Sequence, residues 1–409
     1  MPLHKLLALT VFALTYFAIA TGKLPPLRLD RAGAALAGAV AMSVIGAVDR
    51  QQALDAIDFS TLALLLGMMI VVANLRLSGA FTLAARSLLI RARSGFGLLA
   101  LTVAGAGVLA AFFINDVVCL ALAPILIEAA QMLRARPEPF LLALATASNI
   151  GSTATITGNP QNMIVAGYAH LTYGAFALRL SPIALVGLIV DFATIAYIYR
   201  HQLGPIRGTP STRTLRRPHR PRLLMWKSAA IALGTLFGFI SGYPTDMVAL
   251  AAGALALFTR RIKPERVYHL IDWTLLLMFA GLFVVVAGVE TTGFQNQVLK
   301  IVGAQNLAHP VVLTVVMAAL SNMVSNVPAV MLIRPLYRSF ENQESALVIA
   351  SASTLAGNLT VLGSIANLIV LEEAHKQHIE ISFGEYLRVG LPVTILTLLL
   401  DIAMLSAGL

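Results

Sequence analysis

The sequence predicts an all-α membrane protein made of two inverted copies of one unit, with about ten transmembrane helices, two re-entrant hairpins and two interrupted helices. Three observations predict it: long apolar runs, scarce charge, and polar positions that recur in the same order in both halves. Of the 409 residues, 58% are hydrophobic and only 12% are charged, and the mean hydropathy is +0.83. A soluble domain carries about 25% charged residues and breaks its apolar residues into stretches shorter than the roughly 20 that cross a bilayer. A soluble enzyme is excluded on that ground.

The first apolar run, Leu6–Thr21, follows one lysine and lacks a small-residue cleavage site before Lys23, so it reads as a retained helix. The later runs are Ala32–Val48, Ser60–Leu75, Gly95–Ile114, Val117–Leu133, Phe140–His170 with an interruption, and Ser181–Tyr199. In the second half they are Trp226–Ile240, Asp246–Thr259, Thr274–Val289, Pro310–Val324, Val327–Phe340, Ala346–His375 with an interruption, and Val389–Ala407. Connections are short except from Arg200 to Lys227, which holds eight Arg and Lys, no Asp or Glu, and Pro205, Pro210, Pro218 and Pro221. That composition makes a flexible basic linker. The expected organisation is residues 1–31 as first helix and loop, 32–200 as the first repeat, 201–227 as the linker and 228–409 as the second repeat.

The positive-inside rule puts the linker in the cytoplasm. Lys23, Arg28 and Arg31 then belong inside, with Arg76, Arg86, Arg91, Arg93, Arg260, Arg261, Lys263 and Arg266. These placements agree only if Gly95–Leu133 returns to the cytoplasm and Pro310–Phe340 returns to the outside, which makes both of them hairpins and puts both termini outside. The net charge of +10 then reflects loops facing anionic lipid rather than nucleic-acid binding. Cys119 is the single cysteine, which rules out a disulfide framework or a thiolate metal cluster.

The repeat is carried by rare polar residues. Ile57-Asp58-Phe59-Ser60 returns as Ile271-Asp272-Trp273-Thr274, an offset of 214 (272 − 58) shared by Gly67 with Gly281 and Gly79 with Gly293. Asn115 and Pro124 return as Asn326 and Pro335 at an offset of 211. Ala147-Ser148, Thr155, Gly158 and Asn162 return as Ala352-Ser353, Thr360, Gly363 and Asn367 at an offset of 205. Each copy holds an odd number of crossings, so the second enters the membrane from the opposite side, as in secondary transporters that hold substrate where the copies meet.

Two pairs of polar constellations follow. The hairpin tips carry Asn115 and Asp116 in the first copy and Ser325 and Asn326 in the second; read blandly, the asparagines cap helices in wet turns. An ionisable residue in an apolar surrounding is costly and is retained for function. The interruptions carry Asn149, Ser152, Thr153, Thr155, Asn159 and Asn162 in the first copy, and Thr354, Asn358, Thr360, Ser364 and Asn367 in the second. Gly and Pro unwind the helix there, and freed backbone groups survive in a membrane only where they line a cavity. The new helix N-termini suit oxygen-rich or anionic ligands, and the freed carbonyls and hydroxyls suit a small cation or a proton-linked group. Close helix packing explains the small residues but not the clustered amides. Cys119 reads as a small core residue. Asp191, Asp246, Asp401, Glu128 and Arg334 are candidates for structural ion pairs, and His170 and His375 for interfacial positions. The sequence has no Walker loop, metal-ligand cluster or catalytic triad, so neither an enzyme nor a cofactor is expected.

At these residues the chain resembles the ion transporter superfamily, most closely its arsenite permease branch. Asn115-Asp116-Val117 through Ala123-Pro124-Ile125 is similar to that branch's hairpin, and Leu362-Gly363-Ser364-Ile365-Ala366-Asn367-Leu368 to its second break. The related dicarboxylate carriers use Ser-Asn-Thr triplets; here Ser325-Asn326-Val327 and Ser148-Asn149-Ile150 lack the threonine and Asn115-Asp116 replaces the first triplet. The resemblance implies an elevator-type homodimer in the bacterial inner membrane, with a fixed scaffold and a sliding body of hairpins and interrupted helices. It implies efflux of arsenite or antimonite, with Asp116 as the proton-coupling residue and Asn, Ser and Thr supplying donors and acceptors to a neutral hydroxide. Another small anion, or sodium/proton antiport, is the alternative. The expected partners are the inorganic substrate, protons or sodium, membrane lipids and a second copy of the chain, with an ATPase subunit as a further candidate.

Overall fold

The computed structural model describes residues 3–21, 29–80, 83, 92, 94–204, 222–259, 261–303, 306–307, 309–337 and 342–407. Lys23, Arg28, Arg86, Arg91, Arg93, Arg260 and the prolines of the basic linker fall outside the described residues. Among those described, every regular element is a helix. The N-terminal half holds α1 (Leu3–Thr21), α2 (Arg31–Val44), α3 (Arg50–Ala56), α4 (Phe59–Ser78), α5 (Gly95–Phe112), α6 (Asn115–Met132), α7 (Glu138–Ser152), α8 (Pro160–Tyr168) and α9 (Tyr173–Ile198). The C-terminal half holds α10 (Arg222–Ile240), α11 (Thr245–Leu257), α12 (Pro264–Tyr268), α13 (Trp273–Glu290), α14 (Phe294–Val302), α15 (Pro310–Val324), α16 (Asn326–Tyr337), α17 (Gln343–Ala356), α18 (Ile365–Lys376) and α19 (Phe383–Ser406).

Eight of these helices, 18 to 26 residues long, have the length and apolarity to cross a bilayer. Large apolar side chains such as Leu178, Leu185, Leu233, Phe237 and Leu399 are exposed on α9, α10 and α19. A surface of that kind is covered by lipid. The long helices differ from the expected spans at one end. Pro182 lies inside α9 and Pro392 inside α19, so both helices run back past a proline to Tyr173 and Phe383. The freed carbonyl that normally stops a helix at proline is tolerated where neighbouring helices and local adjustment accommodate it. Conversely α2 and α11, of 14 and 13 residues, are shorter than a full span.

The repeat organises the packing. Asp58 caps α4 by accepting from Thr61 N at 3.0 Å, and Asp272 caps α13 by accepting from Leu275 N at 2.9 Å. Gly79, with φ 83°, and Gly293, with φ 72°, take the left-handed conformation just beyond the ends of the same two helices, where a side chain would be strained. Each of these helices packs on a helix from the other half: α4 on α11, and α13 on α2. A Cβ at Gly67 would lie 2.4 Å from the backbone of Ala249, and one at Gly281 would lie 2.7 Å from the backbone of Ala35. Ala35 and Ala249 differ by the same 214 positions (249 − 35) as the two glycines.

The two hairpins, α5–α6 and α15–α16, lay their first arms along α7 and α17 respectively. At their tips Ile114, Asn115 and Asn326 are buried, while Phe113, Asp116 and Ser325 are half-buried. Phe113 and Ile114 turn the first, and Ser325 turns the second.

Candidate functional site

Both interruptions are built alike. α7 ends at Ser152, a single tight turn spans Ile156–Gly158, and Asn159 is extended before Pro160 opens α8. α17 ends at Ala356, the tight turn spans Val361–Gly363, and Ser364 is extended before α18. Glycine is required at the turn. A Cβ at Gly158 would lie 2.1 Å from Ser152 O and one at Gly363 2.8 Å from Gly357 O.

Unwinding frees carbonyls, and one asparagine in each copy collects them. Asn162 Nδ2 donates to Ser152 O at 3.0 Å and Thr155 O at 2.9 Å. Asn367 Nδ2 donates to Gly357 O at 2.8 Å and Thr360 O at 3.0 Å. These two predicted site residues therefore hold the breaks in shape. Thr155 is engaged by the hairpin, donating to Ala111 O. Thr360 reaches Asn322 Oδ1 at 3.3 Å. Ser152 and Thr153 both donate back to Asn149 O, at 2.8 and 3.2 Å.

The breaks are also tied to each other. Asn149 donates to Asn358 Oδ1 at 2.8 Å and to Asn367 Oδ1 at 3.1 Å. Its oxygen accepts from Asn115 Nδ2 at 2.9 Å and from Ser364 Oγ at 3.0 Å. Thr354, the repeat partner of Asn149 (354 − 149 = 205), accepts from Asn159 at 3.2 Å and from Gln161 at 3.0 Å. In the amide orientation that satisfies its surroundings, Asn326 donates to Ser353 O and Gly363 O, both at 2.9 Å, and accepts from Gln161 at 3.2 Å. A connected and satisfied polar network of this kind rigidifies a core.

Beside the network lies a small cavity in which water-sized molecules can centre themselves in about 30 Å³. One wall is Asn115, Asp116, Gln161, Ser325, Asn326 and Ser364; the other is Ile19, Arg31, Leu275 and Met278 of α1, α2 and α13. Four helices of the first wall, α6, α8, α16 and α18, begin at this cavity. The positive ends of their dipoles suit oxygen-rich ligands. Among the described residues Asn115 Oδ1 is buried without a hydrogen-bond partner. Ser325 holds φ 76° and ψ 161°, a region that a residue with a side chain occupies only under strain.

Of the residues picked from sequence, Asn115, Asp116, Ser325, Asn326 and Ser364 meet at the cavity. Asn149, Asn159, Thr354 and Asn358 stand directly behind it. Cys119 is buried with Sγ 3.0 Å from Ser148 Oγ. Gln161 and Arg31 were not picked. Gln161 was visible in the break, one residue after Pro160; Arg31 was assigned to the cytoplasmic loop. It is also the first residue of α2 and lines the cavity together with Asp116. Arg334 stacks over Phe283, with Cζ 5.4 Å from the ring centre. Among the described residues the ion pairs join Arg179 to Glu344 and Lys376 to Glu372 and Glu373, so none uses Asp191, Asp246, Asp401, Glu128 or Arg334.

A polar cavity fed by half-helix ends, inside a bundle whose outer face is apolar, defines the class: this is a membrane transporter. The chain belongs to the citrate transporter family (CitMHS), whose model matches residues 16–349. It is 27% identical to the silicon efflux transporter LSI3 of Oryza sativa subsp. japonica, over 93% of each chain. It is 30% identical to a 46 kDa membrane protein of Mycobacterium leprae, over 97% of each. The crystal structure of the Alcanivorax borkumensis YdaH transporter has the same fold, with a TM-score of 0.54 at 17% identity, covering 99% of this chain and 98% of that one. The family is one of transporters, as are the rice and Alcanivorax proteins by name, and not of enzymes.

Proposed function

We propose that the protein exports small uncharged hydroxides, arsenite and antimonite foremost, across the bacterial inner membrane in exchange for protons. The cavity carries this reading. Its 30 Å³ or so suits a solute of a few heavy atoms, since about 10–15 Å³ of such space holds one water. Its one guanidinium, Arg31, is balanced by one carboxylate, Asp116, and the remaining polar wall is neutral amide and hydroxyl. Such a lining matches a neutral polyhydroxide, which both donates and accepts. The rice relative's naming for silicon efflux is consistent with that substrate class. In this reading α1–α4 and α10–α13 form the scaffold, residues 201–227 form a cytoplasmic linker, and the hairpins with the interrupted helices slide as one body in a homodimer. The cavity's two walls support it, one from each part.

Reconstituted protein tests the proposal by thermal-shift and efflux measurements against arsenite, antimonite, sodium and a carboxylate panel at two pH values. Arsenite should stabilise the protein and drive proton counter-movement. Stabilisation by sodium and a dicarboxylate but not by arsenite would overturn the reading. Asp116→Asn should abolish proton-coupled efflux in a protein that still folds and inserts; wild-type proton-dependent efflux would remove Asp116 as the carrier.

Arg31 and the four converging helix N-termini favour a second reading, transport of a small carboxylate or oxyanion. Arg31→Gln separates the two, because a neutral hydroxide loses little when the guanidinium goes and an anion loses its counter-charge.

A further inference from the structure

Asp191 and Asp401 are fully buried and do not line the cavity. They lie on α9 and α19, 210 positions apart (401 − 191), as are Pro182 and Pro392 on the same helices (392 − 182). They therefore occupy equivalent places in the two halves. Each stands against a hydroxyl of its own interrupted helix, again at equivalent positions. Ser351 Oγ donates to Asp401 Oδ2 at 2.9 Å. Thr146 lies beside Asp191, with its hydroxyl donated to Leu142 O at 2.9 Å. Both oxygens of Asp191 and Oδ1 of Asp401 have no hydrogen-bond partner among the described residues.

Among the described residues no cation faces either carboxylate. Helices α5 and α15 carry no Asp, Glu, Lys, Arg or His. Glu138 and Glu344 stand in the first turns of α7 and α17, far along the helix from Thr146 and Ser351. Lys227 of α10 donates to Phe258 O. The titratable group facing Asp191 is Tyr386 of α19, whose buried hydroxyl is also unpartnered and lies near Cys119 and Asn367; none faces Asp401. A buried carboxylate with no cation and at most one donor is far too costly to remain charged and alone, and acidic residues persist inside membranes where ions or protons move. Two carboxylate oxygens and one hydroxyl fall short of the oxygen shell a metal cation needs, yet suffice to hold one proton.

We propose that Asp191 and Asp401 are a repeat-related pair of proton sites, separate from the substrate cavity, that load and release protons during the transport cycle. The idea rests on the proton-coupled reading above and adds where the protons travel. Tyr386 stands near both Asp191 and Asn367, and Asn367, Asn149 and Asn115 are joined in turn toward the cavity by hydrogen bonds of 3.1 and 2.9 Å.

The test uses the full chain in proteoliposomes with Asp191→Asn, Asp401→Asn and the double variant, each amide standing in for the protonated acid. The melting temperature and gradient-free substrate exchange should be retained, while transport driven by a pH gradient is lost. Infrared difference spectra between low and high pH should lose a carboxylic C=O band with each substitution. Wild-type gradient-driven transport in the double variant, an unchanged infrared spectrum, or sodium-dependent stabilisation that needs these aspartates overturns the proposal. Should an aspartate variant not fold, Thr146→Val and Ser351→Ala remove the neighbouring hydroxyls alone. They should shift the pH profile of transport, and an unmoved profile counts against the sites. If the wild type carries no test substrate, the transport reading fails and the infrared arm decides the proton sites by itself.

Discussion

Replacing Asn367 by alanine should weaken the second break more than any other single change in the polar network. The side chain makes three bonds: donations to Gly357 O at 2.8 Å and Thr360 O at 3.0 Å, and acceptance from Asn149 at 3.1 Å. Each bond contributes about 1 kcal/mol net, and each buried partner left unsatisfied adds to the loss, so the expected cost is about 3–5 kcal/mol. Asn162→Ala is the internal control. Asn162 makes the two equivalent carbonyl bonds, at 3.0 and 2.9 Å, but its own oxygen already has no partner. Its loss should cost about one bond less, or roughly 2–3 kcal/mol. Denaturant unfolding of detergent-solubilised protein, followed by loss of helix signal, ranks the two. An Asn367→Ala variant within about 0.5 kcal/mol of wild type, or one less damaged than Asn162→Ala, would refute the view that these asparagines brace the unwound backbone. A double-mutant cycle with Asn149→Ala should return a coupling of about 1 kcal/mol, since the two residues share a bond.

Four further outcomes are expected. Gly67→Ala and Gly281→Ala should each destabilise by about 1–3 kcal/mol, because the added carbon meets helix backbone at 2.4 and 2.7 Å. Gly234→Ala on α10, with nothing within 4 Å, should raise the melting temperature, reflecting up to about 1 kcal/mol of helix propensity. Ser325→Gly should relieve about 1 kcal/mol or more of backbone strain and raise thermal stability while lowering substrate affinity, as read by melting curves with and without ligand. Arg31→Gln should leave arsenite efflux near wild type and abolish any carboxylate-induced stabilisation, measured on one preparation.

The repeat was legible because charge and amides are rare in this chain, so each one carries information. Asp58 and Asp272 stood out among apolar neighbours and prove to cap equivalent helices. Gly158 and Gly363 marked the breaks, and the backbone there passes too close for any side chain. Arg31 was not legible. An arginine at the edge of an apolar run looks the same whether it meets phospholipid or a cavity, and only the packing of α2 against α13 beside the cavity tells them apart. The division of labour among the asparagines was hidden for a similar reason. Asn162, Asn149 and Asn115 offer identical chemistry, and their duties as brace, cross-tie and cavity wall follow from which carbonyls the unwound chain brings near.

The exchanged pairing of α4 with α11 and of α13 with α2 also bears on how the chain is made. Gly67 must wait for Ala249, 182 residues later (249 − 67), and Ala35 for Gly281, 246 residues later (281 − 35). Closing contacts of that span is slow, so the first half leaves the ribosome with two seams open, at Ala35 and at Gly67. Neither half encloses a complete scaffold by itself. Two polypeptides severed within the basic linker and synthesised together should still find each other, because what unites them is interlocked helix surface rather than the covalent thread between them.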